Sequence, residues 1–131
     1  MMIRQHDTIA AAVVQQKLGV TLAPPFVGLC VMDGDTVRGV VVFNDYTGSN
    51  IEMTGVGIKC WSPRIIRDLA RYVFGHLKCR RITARTATSN AKAIRALERI
   101  GFRREGIARE WFDGEDAIVF GLLASEQRIV R

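Results

Sequence analysis

Residues 90–106 read NAKAIRALERIGFRREG and carry the most specific local pattern in the chain. Asn90 can cap the helix that follows it, because its side-chain oxygen can accept a hydrogen bond from an N–H of the first turn. Gly101 fits the left-handed position that ends many helices, and Phe102 can then pack back on Leu97. The stretch therefore predicts a capped helix that ends at a glycine and leads into a strand.

Outward from this stretch, strand and helix patterns alternate along the chain. A helix is predicted over residues 8–18, with Asp7 as its N-cap and Gly19 as its stop. A Ser N-cap at Ser62 and proline at Pro63 open a further helix. The predicted strands are residues 27–32, 36–44, 51–58, 81–88, 104–112 and 117–123.

The pattern of one strand indicates how the elements are layered. Residues 40–43, Val-Val-Val-Phe, are apolar on both faces, as in a strand that helices cover on both sides. The order of the elements predicts an α+β or α/β sandwich, with a mixed sheet of about six strands and helices on both faces. At 131 residues, of which 48% are hydrophobic, the chain fits one domain over residues 1–131.

Composition excludes several classes of protein. A charged fraction of 24% and a mean hydropathy of +0.09 exclude wholesale disorder. No apolar run approaches the ~18 residues of a membrane span, and the first residues lack a secretory pattern. Cys30, Cys60 and Cys79 lack the spacing of a metal site or a disulfide framework and are expected to be free thiols. These features predict a cytoplasmic protein with no metal and no membrane partner.

Charge is concentrated in the second half of the chain. Residues 1–60 carry four Lys/Arg and five Asp/Glu, whereas residues 61–131 carry fifteen and eight, so the net charges are −1 and +7. A basic half can bind nucleic acid, an acidic protein or a phosphorylated small molecule, or it can be a solvated surface. An aromatic fraction of 8% and the absence of a recognised pattern of aromatic strand residues argue against RNA.

The stretch at residues 90–106 resembles the Asn-x-x-Ala-Ile-x-x-x-Glu-x-x-Gly-Phe-x-x-Glu-Gly signature of the GNAT superfamily, the acyl-coenzyme-A-dependent N-acyltransferases. Residues 105–109 are similar to the subgroup that acetylates the N-termini of ribosomal proteins. The resemblance implies a GNAT-like, mostly antiparallel sheet with an abbreviated N-terminal part. It also implies acetyl-CoA as the acyl donor and an amine as the acceptor.

The first three predicted strands, residues 27–32, 36–44 and 51–58, form an antiparallel meander. The resemblance places the coenzyme at the third of these strands and at the helix after it. Glycines at positions 55 and 57 would let a pantetheine arm approach the strand, with a purely structural bulge as the alternative. The helix start would offer N–H groups and a positive dipole end to a pyrophosphate, although residues 59–63 lack the glycines usual in the family. The candidate coenzyme-binding residues are Val56, Gly57, Ile58, Ser62, Arg64, Ile65, Arg67, Asn90 and Ala93.

Acetylation of an amine needs a base for the amine's proton and can use an acid for the departing thiolate. Glu52, in the third strand of the meander, is the candidate base, and an exposed Glu52 without a catalytic role is the alternative. Asp45 and Tyr46 are second choices. The family's usual acid is a tyrosine where this chain has Leu97, so Ser89 or Tyr46 would replace it, or the thiolate leaves without an acid.

Three functions remain open from the sequence. The first is a cytoplasmic N-acetyltransferase that moves an acetyl group from acetyl-CoA to a protein N-terminus, a lysine or a small-molecule amine. The second is a GNAT-fold module for assembly that has lost catalysis. The third is a basic domain that binds nucleic acid or the ribosome. A homodimer is left open.

Overall fold

The computed structural model describes residues 1–57 and 59–130, and its strands form one seven-stranded sheet. The elements are β1 (Met2–Gln5), α1 (Asp7–Leu18), β2 (Phe26–Asp33), β3 (Thr36–Asn44), β4 (Asn50–Gly57), α2 (Pro63–Ala70), a π-helical segment (Arg71–His76), β5 (Arg81–Ala87), α3 (Ala91–Ile100), β6 (Arg103–Phe112) and β7 (Glu115–Leu123). The strand order is β1-β2-β3-β4-β5-β7-β6. Neighbours are antiparallel except β4 and β5, which are parallel. The expected α+β fold with a mixed, mostly antiparallel sheet is confirmed.

Helices cover both faces of the sheet, and β3 shows this directly. Val40 and Val42 are buried in a cluster with Ala10 and Val14 of α1. The alternate residues of β3, Val41 and Phe43, belong to a second cluster on the other face, beneath α2 and α3. The expectation of a strand covered on both sides is therefore confirmed. No helix within the described ranges is long and apolar enough to cross a membrane.

The N-terminal region differs from the prediction in two ways. β1 makes the count seven strands rather than six, and it escaped prediction because Ile3 is the one residue of the four that is even partly buried. The cap of α1 is His6, whose Nδ1 accepts the N–H of Ile9 at 3.2 Å, rather than Asp7. Asp7 Oδ1 instead accepts the N–H of Gly28 at 2.8 Å, which ties the helix start to β2.

The helix after β4 is α-helical only in its first part. Ser62 caps it and Pro63 begins it, as predicted. After Ala70 the chain continues as the π-helical segment, which ends before Leu77. Within α2, Ile65 is buried with an exposed fraction of 2%, while Ile66 is only partly buried.

The signature stretch folds as its residues predict. Asn90 Oδ1 accepts the N–H of Ala93 at 3.2 Å and caps α3. Gly101 takes a left-handed conformation with φ 118°, and the N–H of Phe102 donates to the carbonyl of Leu97 at 3.0 Å. Phe102 is buried in the cluster beneath α2 and α3. The capped helix with a glycine stop is thus confirmed at both ends.

Candidate active site

A cavity opens where the two parallel strands part. β4 and β5 pair from Asn50 with Arg81 to Met53 with Ala84 and then diverge. Beyond that point β4 stays paired with β3 and β5 with β7, so the sheet splits into two halves. The gap forms a cavity of about 700 Å³, and Thr54 lines it from β4. The backbone edge of β4 that faces the gap has no strand partner beyond Met53 among the described strands.

The starts of two helices lie beside this cavity. Asn90 and Ala93 of α3 both line it. Trp61, directly before the cap of α2, lines it as well. Leu97, at the position where the resemblance implies a tyrosine, also lines the cavity and presents an apolar side chain to it. The walls are therefore largely apolar, with polar or charged groups at the end of α1, along β5, at the start of α3 and at the turn between β6 and β7.

Of the predicted coenzyme-binding residues, the structure brings Asn90 and Ala93 to the cavity wall and leaves others away from it. Val56 packs on the opposite face, against the α1 cluster. Arg64 and Arg67 are exposed on α2 and do not line the cavity. Ile58 lies outside the described residues.

Ser62 and Ile65 are engaged with each other at the start of α2. Ser62 Oγ accepts the N–H of Ile65 at 3.3 Å, and the Ser62 carbonyl accepts the N–H of Ile66 at 3.0 Å. Pro63 has no N–H. The first-turn N–H of Arg64 is consequently the one that this helix start leaves for a ligand.

Gly55 and Gly57 lie in a regular strand, not in a bulge. The register with β3 continues without a shift to the pair of Gly57 with Gly39. A Cβ at Gly57 would lie 2.6 Å from Cys60 Sγ, whereas a Cβ at Gly55 would lie 3.8 Å from the Trp61 ring. The alternative of a structural bulge is wrong because the register is regular. Position 57 requires glycine because the packing there is close, whereas Gly55 lines the cavity.

The candidate acid–base residues are dispersed. Glu52 Oε1 accepts a hydrogen bond of 2.5 Å from Arg85 Nη1, and Glu52 does not line the cavity, whereas Arg85 does. The Tyr46 hydroxyl, in the exposed loop before β4, donates to the carbonyl of Leu77 at 3.2 Å. The N–H of Ser89 donates to Glu115 Oε1 at 3.1 Å. Tyr46, Asp45 and Ser89 are not part of the cavity wall.

Arg85 and Trp111 line the cavity but were not predicted from the sequence as site residues. Arg85 belongs to the alternating polar row Arg81, Thr83 and Arg85 in β5. Trp111, near the end of β6, has its ring centroid 4.3 Å from the Arg85 guanidinium carbon. The polar row was the available signal, since three polar residues on one face of a central strand need partners when partly buried.

The other two members of the polar row, Thr83 and Arg81, are also hydrogen-bonded to side chains. Thr83 Oγ1 donates to Asn50 Oδ1 at 2.7 Å. Arg81 forms two hydrogen bonds with Glu105, from Nη1 to Oε2 at 3.0 Å and from Nη2 to Oε1 at 2.5 Å. This pair lies over Gly121, where a Cβ would collide with both side chains.

Glu105 is expected to stabilise the fold at neutral pH and not in acid. The hydrogen bond from Arg81 lowers the pKa of the Glu105 carboxyl below its usual range. The stabilisation is therefore present above the ordinary glutamate pKa and is lost as the pH falls through the lowered pKa. The side chain is 38% exposed, so the effect is about 1 kcal/mol or less. Urea denaturation of wild type and Glu105→Gln should differ at neutral pH and converge in acid; a constant difference would contradict this role.

The cysteines take no part in the cavity. Cys30, Cys60 and Cys79 are free and buried, which confirms the expectation of free thiols. Burial raises the pKa of each thiol, so none is a ready thiolate nucleophile. Within the described part of the chain, no three side chains of metal-ligating type come together.

No protein-family model matches the chain, and no curated protein matches it. Solved structures do. A T. thermophilus protein described as a "putative acetyltransferase" is 25% identical with a TM-score of 0.71, and the match covers 88% of this chain and 66% of that one. This chain thus spans slightly less than two thirds of that protein's length.

The spermidine N-acetyltransferases of Vibrio cholerae give the same result for the fold. A mutant form of the spermidine/spermine N-acetyltransferase SpeG is 18% identical, with a TM-score of 0.75 and 95% of each chain covered. A dodecameric spermidine N-acetyltransferase from the same organism is 23% identical, with a TM-score of 0.67, 76% of this chain covered and 66% of that one. The split between parallel strands, the signature helix and these matches agree, and the chain has the fold of the GNAT superfamily of N-acyltransferases.

Proposed function

We propose that this chain, as one domain over residues 1–131, transfers an acetyl group from acetyl-CoA to an amine. The observation that carries the proposal is the cavity at the divergence of β4 and β5, with the start of α3 in its wall. The structural neighbours that are acetyltransferases support it.

The donor fits the side of the cavity on which the helices start. The free backbone edge of β4 after Met53 offers N–H and C=O groups to the amides of a pantetheine arm, as an additional strand would use them. The N–H of Arg64, together with the exposed Arg64 and Arg67 guanidinium groups, would bind the pyrophosphate. Because one N–H replaces a glycine-rich loop here, more of the pyrophosphate affinity falls to these two side chains.

The chemistry would be direct transfer. The lone pair of a neutral amine attacks the thioester carbonyl, a C–N bond forms, and the C–S bond breaks with its electrons on sulfur. We propose that the amine's proton reaches Glu52 through water, since Glu52 lies behind Arg85 rather than in the cavity wall. Leu97 offers no proton and neither Tyr46 nor Ser89 reaches the cavity, so the thiolate would be protonated by water.

Binding of acetyl-CoA tests the proposal. It is expected to raise the melting temperature and to give a measurable heat of binding, because a ligand that binds only the folded state stabilises it. The affinity should fall as salt is added, since the ligand is polyanionic. S-acetylpantetheine, which lacks the pyrophosphate, is the matched control and should bind more weakly and with little salt dependence. Neither a heat nor a thermal shift at millimolar acetyl-CoA would remove the enzyme interpretation.

A second candidate function rests on Leu97. The apolar residue at the position of the family's acid, and the loop without glycine, are the features expected of a GNAT-fold module that binds without catalysis. Binding of acetyl-CoA with no release of thiol for any amine would favour it. The similarity to ribosomal-protein acetyltransferases, a cytoplasmic location and a homodimer stay predictions, and the dodecameric neighbour is the reason to measure the oligomeric state.

A further inference from the structure

The two faces of the strand gap differ in chemistry. Thr54 pairs with Val42, whose side chain belongs to the α1 cluster, so the even-numbered residues of β4 point to the α1 side. Glu52 pairs with Thr83, and Arg85 follows two residues later on that same side. Helices α2 and α3 lie on the opposite side, where residues of both helices pack in the cluster that contains Phe43 and Ile82. If the donor enters beside the helix starts, the acceptor approaches from the side that carries Arg85.

Arg85 is held in a fixed position but is not saturated. One hydrogen bond of 2.5 Å joins Nη1 to Glu52, and the guanidinium lies over the Trp111 ring. Nε is buried and has no hydrogen-bond partner among the described residues. The side chain is 23% exposed and lines the cavity. Leaving a buried N–H without an acceptor costs free energy, so the guanidinium has unused capacity for hydrogen bonds. Because the ion pair with Glu52 and the Trp111 ring hold it in place, it is pre-organised to bind a second carboxylate.

Other charges in the cavity wall narrow the class of acceptor. Lys17 adds a second cation, and Asp113 and Glu115 add two carboxylates, of which Glu115 is bonded to Ser89. A wall with charges of both signs suits a zwitterion. A polyamine would instead meet the guanidinium of Arg85 and a chain of net charge +6.

We propose that Arg85 binds a carboxylate of the acceptor, so that the acceptor is an amine that carries a carboxylate close to its nitrogen, as amino acids do. The inference rests on the proposed function. It assigns acceptor recognition to Arg85 and gives Glu52 the additional role of holding Arg85 in place.

The test uses three series of acceptors that differ in the carboxylate alone. Alanine, leucine and phenylalanine are each compared with their amide and with their decarboxylated amine, with spermidine as a fourth class. Release of coenzyme A thiol gives kcat/KM, expressed per concentration of neutral amine because the three forms ionise over different ranges. We expect the carboxylate form to be preferred in at least one series.

Variants assign that preference to Arg85. Arg85→Gln should lower the ratio of kcat/KM for the preferred carboxylate to kcat/KM for its amide about 10- to 100-fold, as expected for loss of a charged hydrogen bond. Arg85→Lys keeps the charge but loses the planar guanidinium that can donate two parallel hydrogen bonds, so it should restore part of the preference for the carboxylate. Arg38→Gln, which removes a strand arginine that pairs with Asp33 and is not part of the cavity wall, is the control. Equal use of acid and amide in all three series, or an undiminished preference in folded Arg85→Gln and Arg85→Lys, would overturn the proposal.

A binding measurement separates this proposal from the enzyme proposal. 3-Phenylpropanoate, 4-methylpentanoate and propanoate, and their amides, are titrated into the protein with and without acetyl-CoA. Binding of a carboxylate in preference to its amide, lost in Arg85→Gln, would support the role of Arg85 even if no acceptor turned over. If acetyl-CoA binds but none of the three carboxylates does, and no series shows a kinetic preference, the Arg85 proposal fails while the proposed function stands.

Discussion

Glu52→Gln is expected to lower kcat about 100-fold while leaving the affinity for acetyl-CoA near that of wild type. The amide keeps the volume of the carboxylate and an oxygen that can accept from Arg85 Nη1, but it cannot take up the amine's proton. KM for the acceptor should change little, since Arg85 stays in place. Single-turnover release of thiol at a fixed pH and at saturating acceptor is the measurement.

Two further variants separate loss of the base from loss of the ion pair. Glu52→Ala leaves Arg85 without its partner and should add a rise in acceptor KM to the fall in kcat. Glu105→Gln removes a carboxylate from the neighbouring pair with Arg81, outside the cavity wall, and should leave kcat unchanged. If Glu52→Gln turns over a validated acceptor as fast as wild type does, Glu52 is not the base, and a water chain or an acceptor that binds already deprotonated would take its place.

Gly57→Ala is expected to be the most destabilising single methyl group that can be added to β4. Its Cβ would lie 2.6 Å from Cys60 Sγ, 2.9 Å from the Cα of Gly39 and 3.1 Å from the Trp61 ring. The backbone of β3 cannot retreat without breaking its ladder with β4, so the strain should cost about 1–3 kcal/mol. Urea denaturation at neutral pH measures the loss of free energy of unfolding.

The same clash can be relieved from its other side. Cys60→Ala removes the sulfur, so the double variant with Gly57→Ala should lose less stability than the sum of the two single variants. Gly55→Ala is the matched control, because its Cβ would make an ordinary contact of 3.8 Å with Trp61. Additive losses in the double variant, or an equal loss in Gly55→Ala, would show that the contact with Cys60 does not set the requirement for glycine.

The parts of the fold that were predicted correctly are those whose signals are local. Asn90 and Gly101 act on N–H and C=O groups within a few residues, so capping chemistry alone places both ends of α3. β1 was missed because its side chains are mostly exposed, and because the whole of α1 separates it from its partner β2 along the chain. Its pairing with β2 is a backbone interaction that leaves little trace in side-chain periodicity.

The candidate site was predicted less completely because its contacts are distant in sequence. Glu52 and Arg85 are 33 residues apart, and they meet only because β4 and β5 are parallel neighbours. The sequence placed Glu52 in the third strand, but it could not show that Arg85 of another strand would line the cavity while Glu52 does not. Tyr46 illustrates the converse, since its proximity to β4 in sequence did not bring its hydroxyl to the cavity.

The short parallel ladder between β4 and β5 has a mechanical consequence. Four residue pairs join a half-sheet of β1 to β4 to a half-sheet of β5, β7 and β6. At the start of this ladder, the N–H groups of Arg80 and Arg81 also donate to the carbonyl of Ser49, whereas beyond Met53 the described strands β4 and β5 are no longer paired. In the proposed complex, the pantetheine arm would follow the free edge of β4 as a removable length of strand. The bound donor would then bridge β4 and β5 and make the sheet more rigid. Each release of coenzyme A would return the sheet to its less rigid form, in which β4 and β5 are not joined beyond the ladder.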